Sequence, residues 1–361
     1  MRLPLTPPYP PMEAQLVARL PAGQEWQYEP KWDGFRCLAF RDGGEVQLQS
    51  KSGQPLARYF PELVEGLRSL PAPRFVLDGE IVIPVGGSLS FDTLLLRIHP
   101  AESRVRRLAR EHPASLVLFD LLATPEGARL TDEPLRRRRA ALEAFVRDRV
   151  PPGPMFRLSP VASSRDEAER WLQEAGGAVD GVVAKRRDLP YLAGERTGMQ
   201  KVKRVRTADC VVGGFRYASR SRVVGSLLLG LYDEKGLLHH VGFTSGFTMQ
   251  ARRELLAKLR PLRGGAGFTG RAPGGPSRWN PEGSGEWEPL RPELVVEVAY
   301  DHFTEGRFRH GTRFLRFRPE KAPKQCRLTQ VASESRVTFL RLLKAPSASS
   351  APRRAAGGSR R

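Results

Sequence analysis

The sequence predicts an α+β domain followed by a small β-barrel, and three observations lead to this fold class. Up to about residue 204, short apolar runs typical of strands alternate with helix signals. From about residue 207 the pattern changes to short, closely spaced strands, as in a small barrel. The chain has 361 residues, of which 40% are apolar, so it can bury two cores. We therefore expect two globular domains.

Strands of the first domain are bounded by Gly, Pro and Asp, and they are expected at 35–41, 45–50, 75–83, 116–122 and 181–185. Two helices between these strands have recognisable starts. Ser164 and Glu167 form a capping box, and Pro134 stands where another helix would begin. The first domain is therefore expected to mix α and β elements.

Strands of the second domain are expected at 210–215, 227–232, 238–243 and 294–298, with one helix at 249–259. Residues 261–289 are rich in Gly, Pro and Ser, which predicts a long loop. The basic segment from residue 345 cannot bury a core and is expected to be disordered. The expected domain limits are 1–204, 205–344 and 345–361.

The formal net charge of +20 implies a polyanionic partner, with nucleic acid ahead of a membrane. An even spread of arginine over the surface is the alternative interpretation. Arginines that could contact DNA phosphates, or simply form a solvated helix face, are Arg104, Arg106, Arg107, Arg110 and the run 136–139.

The cysteines Cys37, Cys210 and Cys326 are odd in number and have no metal-ligand spacing, so we expect them to be reduced. Residues 1–11 are proline-rich and contain no long apolar run. These two features predict a cytoplasmic protein with no membrane partner.

Lys31 lies two residues before an Asp-Gly pair and five before Arg36. A lysine amine attacks phosphorus only in its neutral form, which burial or neighbouring cations favour. Other cations should therefore converge on Lys31 if it is a nucleophile. The alternative is a β-turn at Asp33-Gly34 with a solvated lysine.

Four further charged or aromatic clusters lie on or beside predicted strands. Asp78-Gly79-Glu80 places Glu80 within an apolar run, where burial must be compensated, unless a hairpin turn points it outward. Phe119 offers an aromatic face. Asp180 precedes a strand that ends at Lys185, and Lys201 and Lys203 share one strand face because alternate side chains point the same way.

These clusters together resemble the covalent nucleotidyltransferase superfamily and, within it, the small bacterial ATP-dependent DNA ligases (ligase C, or the ligase module of end-joining proteins). The motifs similar to those of the family stand at 31–36, 50–53, 78–80, 119–120, 180–185, 201–203 and 318–321. The resemblance implies an α+β nucleotidyltransferase (adenylation) domain with antiparallel sheets, followed by an OB-fold β-barrel.

The resemblance also implies a reaction. Lys31 would attack the α-phosphate of ATP and release pyrophosphate, and the resulting lysyl-AMP would adenylate the 5′-phosphate of a DNA nick before a 3′-hydroxyl seals it. Phe119 would stack on adenine, Glu29 would lie near the adenine edge or the ribose, and Lys185 would contact phosphate oxygens. Implied nucleotide-binding residues are Glu29, Arg36, Lys51, Glu80, Phe119, Lys185, Lys201, Lys203, Arg318 and Lys321.

Glu80 and Asp180 are the implied ligands of Mg²⁺ or Mn²⁺. The protein is expected to be a monomer. Its expected partners are nicked double-stranded DNA and proteins of repair or end joining. Three positions depart from the usual family pattern while keeping the charge: Lys51 replaces arginine, Asp180 replaces glutamate and Glu320 replaces aspartate.

Three other functions fit parts of the pattern. A capping guanylyltransferase uses the same lysine chemistry with GTP, and an RNA ligase differs in the strand that it seals. A DNA-binding module that has lost catalysis would not need Lys31, Glu80, Asp180, Lys201 and Lys203 together. The surroundings of Lys31 and the stretch 91–97 favour a DNA ligase.

Overall fold

The structure is a computed structural model that describes residues 3–174, 179–219, 221–274 and 286–331. Its contacts separate two compact units, one ending at Lys203 and the other beginning at Arg204. The end of the second predicted domain and the predicted basic tail lie outside the described residues. Across the described ranges, no helix is both long and apolar enough to cross a membrane.

The first unit contains most of the helices. Its helices are α1 (Pro61–Ser69), α2 (Phe91–Leu96), α3 (Glu102–Glu111), α4 (Leu135–Arg149) and α5 (Arg165–Glu174). Its strands are β1 (Gln15–Leu16), β2 (Trp26–Lys31), β3 (Phe35–Asp42), β4 (Glu45–Ser50), β5 (Arg74–Val82), β6 (Pro84–Val85), β7 (Ser88–Leu89), β8 (Ser115–Ala123), β9 (Phe156–Leu158), β10 (Gly181–Arg186) and β11 (Met199–Lys203).

These strands form two larger sheets, in addition to the β6-β7 hairpin. Sheet A has the order β1-β11-β10-β2, and sheet B has the order β4-β3-β5-β8-β9. Neighbouring strands are antiparallel except β1 with β11 and β8 with β9. The predicted mixture of helices and mainly antiparallel sheets is therefore confirmed.

Apolar side chains attach the helices to the sheets. α1 and α4 cover one face of sheet B, where the rings of Phe145 and Phe75 meet edge to face with centroids 5.2 Å apart. α5 packs on sheet A through Ala168, which is fully buried. A further cluster includes Leu38 of sheet B and Met199 of sheet A, so apolar residues of the two sheets pack together.

The chain crosses from sheet A to sheet B immediately after Lys31. β2 ends at Lys31 in one sheet and β3 begins at Phe35 in the other, so these strands do not pair. A Cβ atom on Gly34 would lie 2.2 Å from the carbonyl oxygen of Ile81, so only glycine fits here. The β-turn interpretation of Asp33-Gly34 as a simple hairpin is therefore wrong.

The second unit is built around one large sheet. The unit contains the helix α6 (Met249–Leu259) and the strands β12 (Arg206–Tyr217), β13 (Val224–Tyr232), β14 (Leu238–Thr244), β15 (Glu288–Pro289), β16 (Val295–Tyr300), β17 (Phe303–Thr304), β18 (Arg307–Phe308) and β19 (Arg313–Phe317), of which β17 and β18 form a separate pair. The main order is β14-β13-β12-β16-β19, with β15 beside β12, and all pairs are antiparallel.

The two edges of this sheet approach each other. Thr244 Oγ1 donates to the carbonyl oxygen of Thr312 over 3.0 Å, and these residues form an isolated bridge between the end of β14 and the start of β19. Beyond this bridge, strand pairing in the described residues does not close the predicted barrel. Leu255 and Leu259 of α6 pack into the core of the sheet.

Candidate active site

Lys31 ends β2 in a row of sheet A that also contains Gly181 of β10 and Lys203 of β11. A Cβ atom on Gly181 would lie 2.1 Å from the carbonyl oxygen of Val202, so glycine allows the two strands to approach. Asp180 stands just before Gly181, and its Oδ2 lies 2.5 Å from Lys31 Nζ and 3.8 Å from Lys203 Nζ. One carboxylate thus contacts both amines.

The pair formed by Lys31 and Asp180 combines a reachable amine with a buried acid. The Lys31 side chain is 23% exposed, whereas that of Asp180 is 7% exposed. The Asp180 backbone N–H also donates to the carbonyl oxygen of Lys31 over 2.8 Å. Main chain and side chain together fix the direction of the amine.

Lys201 lies two rows along sheet A from Lys203 and therefore on the same face. Its pKa is lowered by burial and by repulsion from Lys31, Lys51 and Lys203. Lys31, Lys51 and Lys203 therefore lie close enough to Lys201 for their charges to act on it. The sequence predicted such a convergence of cations on Lys31.

Arg36 and Glu80 are paired across β3 and β5 of sheet B. Arg36 Nε and Nη2 donate to Asp78 Oδ1 and Oδ2 over 2.5 and 2.6 Å. The Arg36 guanidinium carbon is also 4.5 Å from the centroid of the Phe119 ring. A bidentate carboxylate and an aromatic ring therefore position the guanidinium.

Glu80 lies within the continuous strand β5, so the hairpin interpretation is wrong. Burial raises the pKa of Glu80 to about 7, although the charges of Arg36 and Lys31 act in the opposite direction. The side chain therefore changes between acid and carboxylate close to neutral pH.

Lys185 and Glu29 form a buried ion pair in sheet A. Lys185 Nζ lies 2.9 Å from Glu29 Oε1, which also accepts a hydrogen bond from Gln27 Nε2 over 3.1 Å. Lys185 Nζ is 4.4 Å from the centroid of the Phe119 ring, so that ring contacts two cations. The phosphate contact of Lys185 and the adenine contact of Phe119 stay predictions.

These side chains line a single cleft within the first unit. The cleft is lined by residues 11–14 and, among the predicted site residues, by Glu29, Lys31, Arg36, Lys51, Glu80, Phe119, Lys185 and Lys201. Asp180 contacts Lys31 of this cleft, and Lys203 contacts Asp180.

The segment 11–14 was missed by the sequence reasoning. Glu13 Oε2 lies 3.0 Å from Lys51 Nζ and 3.3 Å from Arg196 Nε, and the bond with Lys51 lowers the pKa of Glu13. Lys51 itself is 56% exposed. A carboxylate followed by Ala and preceded by Met and Pro carries no sequence signal for a cleft.

Tyr191 was also missed, and it connects this segment to Arg36. The Tyr191 hydroxyl donates to Asp78 Oδ2 over 2.6 Å and accepts from the Met12 backbone N–H over 3.0 Å. Burial and the neighbouring Asp78 carboxylate raise the pKa of Tyr191. Asp78 therefore supports Arg36 from one side and is itself held from the other.

Arg318 and Lys321 lie in the second unit and are both bound by Asp209. Arg318 Nη1 is 2.9 Å from Asp209 Oδ1, and Lys321 Nζ is 3.0 Å from Asp209 Oδ2. Arg318 also pairs with Glu320. Asp209 lies outside the predicted motif and was not recognised from the sequence.

The described residues contain no group of three or more His, Cys, Asp or Glu side chains that could hold a metal. Mg²⁺ usually keeps several waters and binds through one or two carboxylates together with substrate phosphates. A site of that limited kind would need only Glu80 and Asp180, whose role as metal ligands stays a prediction.

Two of the arginines suggested for DNA binding are structural instead. Arg138 Nε and Nη2 donate to the buried Asp120 carboxylate over 2.9 and 3.0 Å. Arg139 is 8% exposed and bonds to Glu143 and to the Ser159 carbonyl. For these two residues, both a DNA contact and a solvated helix face are wrong.

Two family models of ATP-dependent DNA ligases and several related DNA ligases match this chain. Residues 11–203 match the family model "ATP dependent DNA ligase domain", and residues 220–321 match "ATP dependent DNA ligase C terminal region". DNA ligase C2 of Mycolicibacterium smegmatis is 45% identical over 92% of this chain and 97% of its own length. DNA ligase C of Mycobacterium tuberculosis is 44% identical over 92% and 96%.

A solved structure from a study of Lig E DNA ligases has a TM-score of 0.52 and 19% identity, covering 85% of this chain and 100% of its own. This likeness shows the fold. Two sheets around a lysine that is bound to a carboxylate and surrounded by cations, followed by an OB-fold unit, define a covalent nucleotidyltransferase. The chain belongs to the ATP-dependent DNA ligases, enzymes that form phosphodiester bonds. The resemblance inferred from the motifs is confirmed.

Proposed function

We propose that this ligase seals nicks in double-stranded DNA with Lys31 as its nucleophile. Lys31 Nζ attacks the α-phosphorus of ATP, pyrophosphate leaves, and AMP stays on the lysine through a P–N bond. AMP then passes to the 5′-phosphate of the nick, and attack by the 3′-hydroxyl displaces AMP. The observation that carries this proposal is the partly exposed Lys31 amine, 2.5 Å from Asp180 in a cation-rich cleft.

Side chains around Lys31 suit the charge changes of the first step. Asp180 directs the amine and can accept a proton from it. Arg36, Lys201 and Lys203 offset the negative charge of the phosphates. Lys51 is exposed enough to exchange Glu13 for a phosphate.

The remaining predicted residues act on the other parts of the nucleotide. Phe119 is proposed to stack on adenine, with Glu29 at the base or ribose, and Lys185 is proposed to contact phosphate oxygens. Arg318 and Lys321 are proposed to contact the pyrophosphate. Mg²⁺ or Mn²⁺ held by Glu80 and Asp180 would neutralise phosphate oxygens.

DNA recognition is expected to depend on phosphate contacts, because the net charge of +20 supplies affinity without a base code. We place the enzyme beside the chromosome in the cytoplasm, as a monomer that acts in repair or in end joining with partner proteins. The limits 1–204, 205–344 and 345–361 are proposed for the domains and the basic tail, and limited proteolysis would locate them.

Labelling of the protein tests the reaction. Incubation with radiolabelled ATP and Mg²⁺ or Mn²⁺ should give a covalent adduct, with one AMP on Lys31 by peptide mass spectrometry, and Lys31→Ala should abolish it. EDTA should also prevent labelling.

Substrate choice separates the remaining alternatives. Labelling by GTP in place of ATP would indicate a capping guanylyltransferase. Matched nicks in DNA and RNA duplexes should show faster sealing of DNA, and preferential sealing of RNA would contradict the proposal.

A further inference from the structure

We propose that Asp209 positions Arg318 and Lys321 for the transfer of AMP from ATP to Lys31. The inference rests on the proposed function, because it assumes that the two cations contact pyrophosphate. Asp209 lies between the matched regions 11–203 and 220–321, so neither family model includes it.

The contacts divide the Asp209 carboxylate between the two cations. Its Oδ1 lies 2.9 Å from Arg318 Nη1, and its Oδ2 lies 3.0 Å from Lys321 Nζ. The Asp209 side chain is 11% exposed, whereas those of Arg318 and Lys321 are 20% and 27% exposed. The anchor is therefore more buried than the groups that it holds.

The backbone of Asp209 is itself held in place. Its N–H donates to Gln330 Oε1 over 3.1 Å, and Gln330 Nε2 donates back to its carbonyl oxygen over 3.3 Å. Asp209 is also paired with Glu297 across β12 and β16. A carboxylate on a central strand with a clamped backbone suits the positioning of other side chains.

The charges around Asp209 nearly cancel. Glu297 stands directly across from Asp209, and two like charges in this arrangement repel. Arg316 Nε lies 2.6 Å from Glu297 Oε2, and Arg318 Nη1 lies 3.7 Å from the same oxygen, so cations offset the repulsion. Long-range attraction for pyrophosphate is therefore weak here.

Asp209 contributes by fixing the positions of Arg318 and Lys321. A guanidinium has five N–H donors and an ammonium has three, so each cation keeps donors beyond those that face Asp209. Fixing Arg318 and Lys321 side by side before the reaction removes the cost of ordering two long side chains during it.

The test compares two steps in the full-length protein. Single-turnover labelling of Lys31 with ATP measures the first step, and sealing of a nick with a 5′-adenylylated end measures the last. Asp209→Asn should slow labelling by about tenfold, roughly the kinetic equivalent of one weakened hydrogen bond to a charged group, and leave sealing unchanged within about twofold. The double variant with Arg318→Ala should be slowed by less than the product of the two single effects, because Asp209 acts partly through Arg318 and partly through Lys321.

Glu293→Gln is the matched control, since it removes a negative charge from an exposed ion pair with Arg291 in the same unit. Its rates should equal those of the parent protein. If Asp209→Asn labels normally while Arg318→Ala is slow, the inference is wrong and the proposed function stands. If Arg318→Ala also labels normally while Lys31 still forms its adduct, the pyrophosphate role is wrong and the inference fails with it. Equal losses in both steps of Asp209→Asn, with a lower melting temperature, would show a purely structural role.

Discussion

Lys31 Nζ lies 2.5 Å from Asp180 Oδ2, and the backbone N–H of Asp180 donates to the carbonyl oxygen of Lys31. The two residues are 149 positions apart: Lys31 ends β2, and Asp180 directly precedes the adjacent strand β10 of sheet A. The direction of the nucleophile is therefore set by a segment distant in the sequence.

Asp180→Asn should slow adenylylation of Lys31 by about 100-fold, because the amide neither orients the amine through charge nor accepts its proton. Asp180→Glu should retain most of the activity, since the longer acid keeps the charge. Single-turnover labelling with ATP measures both effects.

Asp188→Asn provides the control for Asp180→Asn. Asp188 pairs with Arg186 at the surface, with the two side chains 42% and 34% exposed. Its removal should leave the labelling rate unchanged. A normal rate in Asp180→Asn would disprove the assigned role of the carboxylate.

Tyr191→Phe should lower the free energy of unfolding by about 1–2 kcal/mol, because the Met12 N–H and the Asp78 carboxylate each lose a hydrogen-bond partner. Urea denaturation measures this loss. Tyr59→Phe is the control, since the Tyr59 hydroxyl makes no hydrogen bond among the described residues, and it should change stability by less than about 0.5 kcal/mol. Similar losses in both variants would contradict the prediction.

The sequence predicted those helices and strands whose ends are set by the preferences of nearby residues. Ser164 caps α5 by accepting from the Glu167 N–H over 3.2 Å, and α4 starts directly after Pro134, as predicted. The helix at 249–259 and those strands that the sequence predicted in both units agree with the structure within a few residues. Each of these elements begins or ends at a residue with its own conformational preference.

Features that depend on tertiary burial were missed or left open. α3 is mostly charged and buries only Val105, Leu108 and Ala109, and a helix there was one of two interpretations of its arginines. The Arg138–Asp120 pair and the anchoring of Arg318 on Asp209 join residues 18 and 109 positions apart. No periodicity in the sequence encodes such contacts. The motif residues were therefore predicted, whereas the residues that hold them in place were not.

Arg97→Ala should destabilise the protein by about 3–5 kcal/mol, because it leaves the partly buried Glu62 carboxylate without its cation. Arg97 is fully buried, and its Nη1 and Nη2 each lie 2.8 Å from an oxygen of Glu62. Chemical denaturation gives the free energy. Arg68→Ala, which removes an exposed pair with Glu65, should cost less than about 1 kcal/mol, and equal losses would disprove the distinction.

ATP affinity should depend on pH through Glu80. Burial raises the pKa of Glu80 to about 7, so the side chain is mainly protonated at a pH of about 6 and mainly ionised at a pH of about 8. Only the carboxylate binds a divalent cation well or accepts hydrogen bonds through both oxygens. Affinity for ATP with Mg²⁺ should therefore rise by about tenfold across this interval, as the ionised fraction does.

Lys31→Arg is the suitable background for this measurement, because it prevents covalent transfer and keeps the positive charge that lowers the pKa of Glu80. Calorimetric titration of Lys31→Arg and of Lys31→Arg/Glu80→Gln with ATP cancels the titration of the nucleotide itself. The rise should disappear in the double variant, because glutamine does not ionise. Parallel pH profiles in the two proteins would show that Glu80 does not govern nucleotide binding.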